Sequence, residues 1–426
     1  MKRKIGTTGP PMKKTKPVSR DEVFDIICFY MGQGDCSLIR CPDGKIVMID
    51  CGSKSDFQVD FVKIVMDQVR DPDWAGRRMR IDALILTHKD IDHYNQVGWV
   101  LGDTIINKRK YKKLKIDKIY FSWAYKDHSP LGRYKGNGLN RVVYDGFFKT
   151  SELYEVTICS EDDDENFYKK WTSNDSFKDV VAEVPIAGRK YTLFNGRTPD
   201  GKDWRISLIA GNVLRVKGAL KALGKDEDQQ PLIDGATEDN ARSLITLLEI
   251  DGKKALFCGD ATFSTERFLV KSQSALISNV QFLLVPHHGS DWASSIPFVS
   301  ATKPAQVAVS SEYMEHTHLH PRKRVITRWL GKVGKTAQPH VIDYWEMDKV
   351  KAYDTLEDWE DQGLGLENSS SFTWLSNLPG ADICYGVKGR LGLLYRAQVS
   401  KDLKATAFAI DPDNPDTPQF LNYRIG

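Results

Sequence analysis

Apolar runs of strand length recur along the chain, and polar residues directly follow several of them. The most informative run, 83–86, precedes His88, Asp90, Asp92 and His93. An apolar run of this length predicts a buried strand. Such a strand would deliver the loop to the rim of a sheet, where imidazoles and carboxylates can converge on a cation. Four potential ligands so close together, in a chain with 9 histidines, predict a metal site.

The other apolar runs predict a mixed α/β fold. Runs at 23–30, 36–40 and 45–49 are separated by glycine-containing turns, which favours a hairpin arrangement of strands. Helical spacing at 55–70 precedes the strand at 82–87, so strands and helices alternate. Further strands are predicted at 115–122, 184–210, 239–250, 254–258, 280–285 and 303–311, helices at 264–273 and 322–333, and strand-like pieces beyond 340.

Composition is that of a water-soluble globular protein. The chain has 426 residues, 41% hydrophobic and 27% charged, which suffices for one large core or two modest ones. The net charge of +3 makes no case for nucleic acid by itself, although basic runs at 2–16 and 108–118 could contact phosphates. Without an apolar run of membrane-spanning length or a signal core, we expect a cytoplasmic protein that does not contact membranes. The 7 cysteines lack C-x-x-C pairing, which favours buried reduced thiols.

The metal-loop motif resembles that of a known superfamily. The pattern H-x-D-x-D-H after an apolar strand is similar to the signature of metallo-β-lactamases, whose more common form is H-x-H-x-D-H. Asp90 is therefore a departure, and the version with Asp resembles the soluble hydrolase domain of ComEC-type DNA-uptake proteins. The string G-Q-G-D at 32–35, P-D-G at 42–44 and D-x-G at 50–52 resemble the opening of that domain.

Later motifs continue the resemblance in the same order. They are N-x-x-S from Asn240 to Ser243, G-D at 259–260, P-H-H-G-S at 286–290, and the His320–Pro321 pair after a strand that ends in serines. The likeness spans roughly 23–100 and 239–330. It implies an αββα metallo-β-lactamase sandwich with its site at one edge of the two sheets.

The resemblance also implies how two divalent metal ions are held. One metal would take His88, Asp90 and Asp260, and the other would take Asp92, His93, Asp260 and His288. The superfamily's bridging carboxylate corresponds to Asp260. The resemblance therefore implies that Asp92 and Asp260 are catalytic residues that bind metal.

Other residues are expected around the ligands. Asp50 would brace the metal loops, and His320 would contact the phosphate of the substrate and donate to it or to the leaving oxygen. Asp35 either faces the site or caps a turn, and His287 is either a further ligand or supports one. Asn240 and Ser243 are expected to support the site.

The first metal lacks the additional histidine that many relatives supply. The only histidine between the second motif and Gly259 is His128, in a loop with no strand before it. This thin ligand set and the oxygen ligand of Asp90 favour Mn²⁺ or Mg²⁺, while the imidazoles remain compatible with Zn²⁺.

Three regions are predicted. Residues 1–20 contain seven Lys/Arg and three prolines, which predicts a disordered basic tail. Residues 21–335 would form the hydrolase domain, with an insertion at about 125–180, and residues 336–426 a small C-terminal β-rich extension.

Three functions fit these observations. The resemblance implies a phosphodiesterase or nuclease that cleaves DNA by metal-activated water; as a free-standing cytoplasmic enzyme it would suit phage defence with protein partners. The alternatives are a small-molecule hydrolase for a cyclic nucleotide, phosphoester or lactone, and an interaction module with a degenerate site, because fold does not determine substrate.

Overall fold

The computed structural model describes part of the chain, including most residues around the predicted site. The described residues are 23–29, 31, 33–53, 80–88, 90–94, 96–97, 104–106, 109–111, 115–122, 155–159, 180–181, 191–211, 213, 234–311, 320–322, 325, 328–329, 372–375, 392–399, 404–410 and 419–420. The predicted tail 1–20, the predicted helix 55–70 and His128 lie outside these residues.

Strands dominate the described part of the chain. In chain order they are β1 (Phe24–Phe29), β2 (Ser37–Arg40), β3 (Ile46–Ile49), β4 (Arg80–Ile81), β5 (Ala83–Leu86), β6 (Thr104–Ile106), β7 (Arg109–Tyr111), β8 (Lys115–Ile116), β9 (Lys118–Ser122), β10 (Glu155–Cys159), β11 (Val180–Val181), β12 (Tyr191–Arg197), β13 (Asp203–Ala210), β14 (Ile245–Ile250), β15 (Lys253–Phe257), β16 (Phe282–Leu284), β17 (Gln306–Ser310), β18 (Phe372–Leu375), β19 (Gly392–Val399), β20 (Lys404–Ile410) and β21 (Gln419–Phe420).

Two large sheets contain most of these strands. The first has ten strands in the order β11-β10-β9-β5-β3-β2-β1-β19-β20-β21, and the second has seven in the order β12-β13-β14-β15-β16-β17-β18. The pairs β4–β8 and β6–β7 form two small sheets. The antiparallel pairing of β1, β2 and β3 confirms the predicted hairpin arrangement.

The two sheets pack face to face. One core cluster joins Ile26 and Ile85 of the first sheet to Leu248, Phe257 and Phe282 of the second. Neighbouring residues on β14 to β17 belong alternately to this cluster and to another one, as expected where successive side chains point to opposite faces. Since both faces are buried, these strands read as nearly continuous apolar runs.

Four helices lie among the described residues, and the last three pack on the outer face of the second sheet. They are α1 (Glu238–Ala241), α2 (Phe263–Ser272), α3 (Ser274–Ile277) and α4 (Ile296–Thr302), and two 3-10 helices lie at Ile91–His93 and Pro286–Gly289. Leu269 of α2 and Phe298 of α4 pack with Leu256 and Val307 of the sheet. The two sheets and this helical layer confirm the predicted mixed α/β sandwich.

Both predicted additions contribute strands to the sheets. Within the predicted insertion, β10 pairs in parallel with β9. Within the C-terminal region, β18 pairs with β17 and β19 pairs with β1. The domain boundaries stay predictions, but these strands are built into the sandwich.

Two further expectations concern the described residues. The five cysteines whose side chains are described are buried, and none of them forms a disulfide. They are Cys28, Cys36, Cys41, Cys51 and Cys258. In the same part of the chain, no helix combines the length and the apolar character that a membrane crossing requires.

Candidate metal centre

The site forms where parallel strands of both sheets end. In the first sheet, β3 and β5 run in parallel, and their carboxyl ends lead into Asp50 and His88. In the second, β15 and β16 run in parallel and lead into Asp260 and His288. Carboxyl ends of parallel strands share one edge of a sheet, so packing the two sheets together brings these side chains into one cluster.

Asp50 forms the buried base of the cluster. Its carboxylate accepts hydrogen bonds from the backbone N–H of Thr87 (2.7 Å), the hydroxyl of Thr87 (2.7 Å) and Nδ1 of His93 (2.8 Å). The residue has a φ of 55°, a left-handed conformation that Asp tolerates better than most residues do. Asp50 thus holds the metal loop from behind without facing the other ligands.

Hydrogen bonds donated by Nδ1 determine the tautomers of three histidines. Nδ1 of His93 donates to Asp50, and Nδ1 of His288 donates to the carbonyl oxygen of Ser310 at 2.9 Å. The hydroxyl of Thr87 donates to Asp50, so it accepts from Nδ1 of His88 at 3.1 Å. Each neutral ring therefore carries its proton on Nδ1 and presents the lone pair of Nε2.

The lone pairs of two of these rings converge on one carboxylate oxygen. Nε2 of His93 lies 3.2 Å from Nε2 of His288, and Oδ1 of Asp260 lies 3.1 and 3.3 Å from these two atoms. Three buried acceptor atoms at such distances repel one another unless a positive charge lies among them. A divalent cation supplies that charge, and imidazole with carboxylate is a donor set that suits Mn²⁺, Mg²⁺ or Zn²⁺ to different degrees.

The other oxygen of Asp260 faces a second group. Its Oδ2 lies 3.6 Å from Nε2 of His88, which is itself 3.5 Å from Oδ2 of Asp90. This nitrogen of His88 makes no hydrogen bond to any residue in the described part of the chain. Two ligand groups result, His88–Asp90–Asp260 and Asp35–His93–Asp260–His288, in each of which the ligand atoms lie within 4.8 Å of one another. Asp260 therefore stands between two candidate metal positions.

Asp35 faces the site rather than only closing its turn. It is buried, belongs to the second ligand group, and has Oδ1 4.0 Å from Nδ1 of His288. Its backbone N–H donates to the carbonyl of Asp92, which ties the first hairpin to the metal loop. Asp92 is also present, with Oδ2 3.6 Å from Nε2 of His288. The ligand group in the structure therefore contains Asp35 where the predicted second-metal set had Asp92, and Asp92 lies next to this group.

Burial and charge pull the pKa values of the cluster apart. Burial lowers the pKa of His93, but the charges of Asp260 and Asp50 have the larger effect and hold this pKa well above its usual value. Burial raises the pKa of Asp260, but His288, His93 and His287 outweigh this and hold it well below normal. Burial raises the pKa of Asp35 to about 6. In the absence of a cation, the rings and carboxylates therefore compete for protons.

Three polar side chains line the approach to the carboxylate. Nε2 of His287 lies 3.7 Å from Oδ2 of Asp260, and the ring of His287 contacts that of His320 with centroids 5.7 Å apart. Burial lowers the pKa of both rings, to about 4 for His287 and well below its usual value for His320. Both rings are therefore neutral at physiological pH. The amide nitrogen of Gln33 lies 3.4 Å from Nδ1 of His320.

Asn240 and Ser243 contact the same carboxylates from one segment. The amide Nδ2 of Asn240 lies 3.1 Å from Oδ2 of Asp260 and 3.3 Å from Oδ2 of Asp90. The hydroxyl of Ser243 accepts from the backbone N–H of Asp260 at 3.2 Å. All the predicted site residues thus lie around one centre.

Sequence reasoning missed two contributors to this site. Thr87 connects Asp50 to His88, and its place directly before the first ligand was the available signal. Gln33 lies inside the G-Q-G-D turn, where an amide between two glycines reads as ordinary turn chemistry. Its contact with His320 spans 287 positions, so the sequence carries no local signal for it.

One protein-family model matches part of the chain. The model of the metallo-beta-lactamase superfamily matches residues 30–213. This match covers less than half of the 426 residues, and over it the chain is similar to that superfamily. No curated protein sequence matches the chain.

Several solved structures are similar at low scores. The short form of human tRNase Z is 13% identical, with a TM-score of 0.35, and the match covers 67% of this chain and 92% of that one. A diphosphatase from the PhnP family is 10% identical, with a TM-score of 0.31, over 67% of this chain and 86% of that one. Zn²⁺-bound PqqB from Methylobacterium extorquens is 9% identical, with a TM-score of 0.34, over 83% and 98% respectively.

Proposed function

We propose that this protein is a two-metal phosphodiesterase that cleaves nucleic acid, with DNA as its substrate. The observation that carries the metal-dependent part is the convergence of two imidazole Nε2 atoms and a carboxylate oxygen at 3.1–3.3 Å. A second ligand group on the other oxygen of Asp260 supports a pair of ions.

The side chains suit the hydrolysis of a phosphodiester. When bound, the cations supply the charge that activates water and stabilises a negatively charged phosphoryl group. Asp260 holds the two positions together, and Asp50 keeps the ring of His93 in the tautomer that can bind metal. His320 is neutral, so its N–H can donate to a phosphate oxygen or a leaving oxygen without the cost of a buried charge.

An exposed aromatic ring four residues after His288 favours a nucleotide substrate. Trp292 follows His288 by four positions, is 40% exposed, and is the one exposed large hydrophobic side chain among the described residues. Its ring rests on Gly235, where an added Cβ would lie 2.7 Å from it. A ring held in this way offers a face on which a nucleobase can stack.

The motif resemblance supports DNA in particular. The strings G-Q-G-D and P-H-H-G-S are similar to those of the ComEC-type hydrolase domain, and both contribute buried residues to this site. We extend the proposal to phage defence, in which the enzyme would act on foreign DNA together with protein partners.

A small-molecule hydrolase is the second candidate. It is favoured by the depth of the ligands, since His88, Asp92, His93 and His288 are each at most 2% exposed. Asp90 is the more accessible ligand, with 38% of its side chain exposed. Ligands this deeply buried are reached more readily by a cyclic nucleotide or a phosphomonoester than by a duplex.

Cleavage assays with a ligand variant test the proposal. Purified protein would be incubated with labelled single-stranded DNA, double-stranded DNA and a cyclic dinucleotide, each with Mn²⁺, Mg²⁺ or Zn²⁺. We expect metal-dependent cleavage of DNA, and at least about a hundredfold loss in Asp260→Ala because the carboxylate between the two metal positions is removed.

The matched control is Asp203→Ala, which removes an exposed carboxylate far along the sheet and should retain full activity. If only the cyclic dinucleotide were cleaved, the protein would be a small-molecule hydrolase rather than a DNA nuclease. Full activity of Asp260→Ala would contradict the two-metal site itself.

A further inference from the structure

The first candidate metal position has too few protein ligands for its burial. His88, Asp90 and Asp260 supply three donor atoms, and Asp260 is shared with the second position. Buried divalent metals in proteins take four or more donors. Water often completes the coordination of catalytic metals, so a fourth protein donor on the open side of this group needs geometric support of its own.

Asn240 occupies that side. Its side chain is buried, and its amide group lies 3.1 Å from Oδ2 of Asp260 and 3.3 Å from Oδ2 of Asp90. These are the same two oxygens that lie 3.6 and 3.5 Å from Nε2 of His88. Ligand atoms about 2.1 Å from one metal lie about 3.0–3.4 Å apart at octahedral or tetrahedral angles. The amide is thus spaced from both carboxylates as a fellow ligand would be.

We propose that the side-chain oxygen of Asn240 is the fourth protein ligand of the first metal. The amide nitrogen now donates to the two carboxylates, and the hydroxyl of Thr237 contacts the amide oxygen. A half-turn of the amide directs the oxygen to the metal position, and the hydroxyl of Thr237 can then accept from the nitrogen. A cation selects this orientation because it attracts the oxygen and repels the N–H groups.

The backbone holds Asn240 in place for this role. Asn240 lies in α1, and its N–H donates to the hydroxyl of Thr237, which caps the helix. Three residues later, Ser243 accepts from the backbone N–H of Asp260. One short segment therefore positions both Asn240 and the shared carboxylate.

His287 is the competing ligand for the same metal. Its Nε2 lies 3.7 Å from Oδ2 of Asp260, yet it does not join the group of His88, Asp90 and Asp260, whose ligand atoms all lie within 4.8 Å of one another. With Asn240, the first metal has one imidazole and three oxygen donors, whereas the second has two imidazoles. This asymmetry favours a hard ion such as Mn²⁺ at the first position.

Metal binding to the full chain tests this inference, which rests on the proposed two-metal function. Calorimetric titration with Mn²⁺ should give two ions per wild-type chain, with an exchange-coupled pair in the electron paramagnetic resonance spectrum. In Asn240→Ala, we expect the affinity for one ion to fall at least about tenfold and the coupled signal to disappear. Asn240→His should retain two ions and raise the preference for Zn²⁺ over Mn²⁺, since it adds an imidazole.

Two controls separate the outcomes. Asn195→Ala removes an exposed amide on β12 and should bind metal like the wild type. Two ions bound with unchanged affinity by Asn240→Ala, or loss of the coupled pair only in His287→Ala, would overturn the inference and leave the two-metal function standing. If Asn240→Ala does not fold, the metal preference of Asn240→His tests the inference instead. An unchanged preference between Zn²⁺ and Mn²⁺ in that variant would overturn it. If the wild-type chain bound no metal at all, the proposed function would fail.

Discussion

At the scale of single residues, the cluster depends on which ring nitrogen carries a proton. Asp50 receives three hydrogen bonds, one of them from Nδ1 of His93. In Asp50→Asn, the amide N–H groups would face a donor, so the ring of His93 must turn or move its proton to Nε2. We expect metal binding at the group that contains His93 to weaken about 10- to 100-fold. Calorimetric titration with Mn²⁺ measures this change.

The control for Asp50→Asn is Asp43→Asn, the same change at an exposed turn residue. Asn tolerates the left-handed backbone of residue 50, so the fold should persist with a loss of about 1–3 kcal/mol from the unpaired buried donor. An unchanged metal affinity in a folded Asp50→Asn protein would show that the tautomer of His93 does not matter.

Residue types and spacing predicted the candidate ligands of the metal loop, because His88, Asp90, Asp92 and His93 occur within six positions. The family resemblance added Asp260 and His288, which follow the ends of strands. The sequence does not decide whether Asp35 faces the site. A G-x-G-D string closes a hairpin whether or not its carboxylate points to a metal. Only the packing of the first sheet against the second decides this.

At the scale of elements, glycine allows the segment after β3 to touch the metal loop. A Cβ on Gly52 would lie 2.3–2.5 Å from backbone atoms of Asp92 and His93. Backbone cannot move aside as a flexible side chain can, so Gly52→Ala should displace the loop. We expect a loss of about 1–3 kcal/mol or more in the free energy of unfolding, together with weaker metal binding. Denaturant unfolding and calorimetric titration measure the two effects.

Gly201→Ala separates this steric effect from the effect of backbone conformation. Gly201 has a φ of 87° and no atom within 4 Å of an added Cβ, so Ala there costs only conformational strain of about 1–2 kcal/mol. It should leave metal binding unchanged. Equal effects of the two substitutions on metal affinity would contradict a close packing role for Gly52.

At the scale of the whole molecule, the sequence predicted which segments form buried strands better than it predicted which strands pair with each other. Apolar runs predicted most strands of both sheets, although not β10 and β11, and the family resemblance implied the edge at which the site lies. The pairing of β1 with β19 and of β17 with β18 was not predicted, because a strand's pattern shows that it is buried but not which distant strand it pairs with. Residues near both ends of the described chain thus complete the sheets that carry the site.

The whole fold should respond to metal in a pH-dependent way. Burial raises the pKa of Asp35 to about 6, and the net pKa of His93 lies well above its usual value because Asp260 and Asp50 outweigh burial. A raised folded-state pKa means that the proton stabilises the metal-free fold below the unfolded pKa, about 6.5 for His and 3.9 for Asp. This contribution is lost as pH rises through the folded-state pKa.

Metal must displace these protons, so its stabilising effect should grow with pH between about 5.5 and 8. Mn²⁺ at about 100 times its Kd adds about 2.7 kcal/mol, and each displaced proton weakens binding by about tenfold per pH unit below the folded-state pKa. Thermal unfolding with and without Mn²⁺ at pH 5.5, 7 and 8 measures this gain. Asp35→Asn, which has no proton to lose at this position, should show a shallower pH dependence below pH 7. The same gain in Tm at every pH would mean that metal and protons do not compete, and therefore that metal binds away from His93 and Asp35.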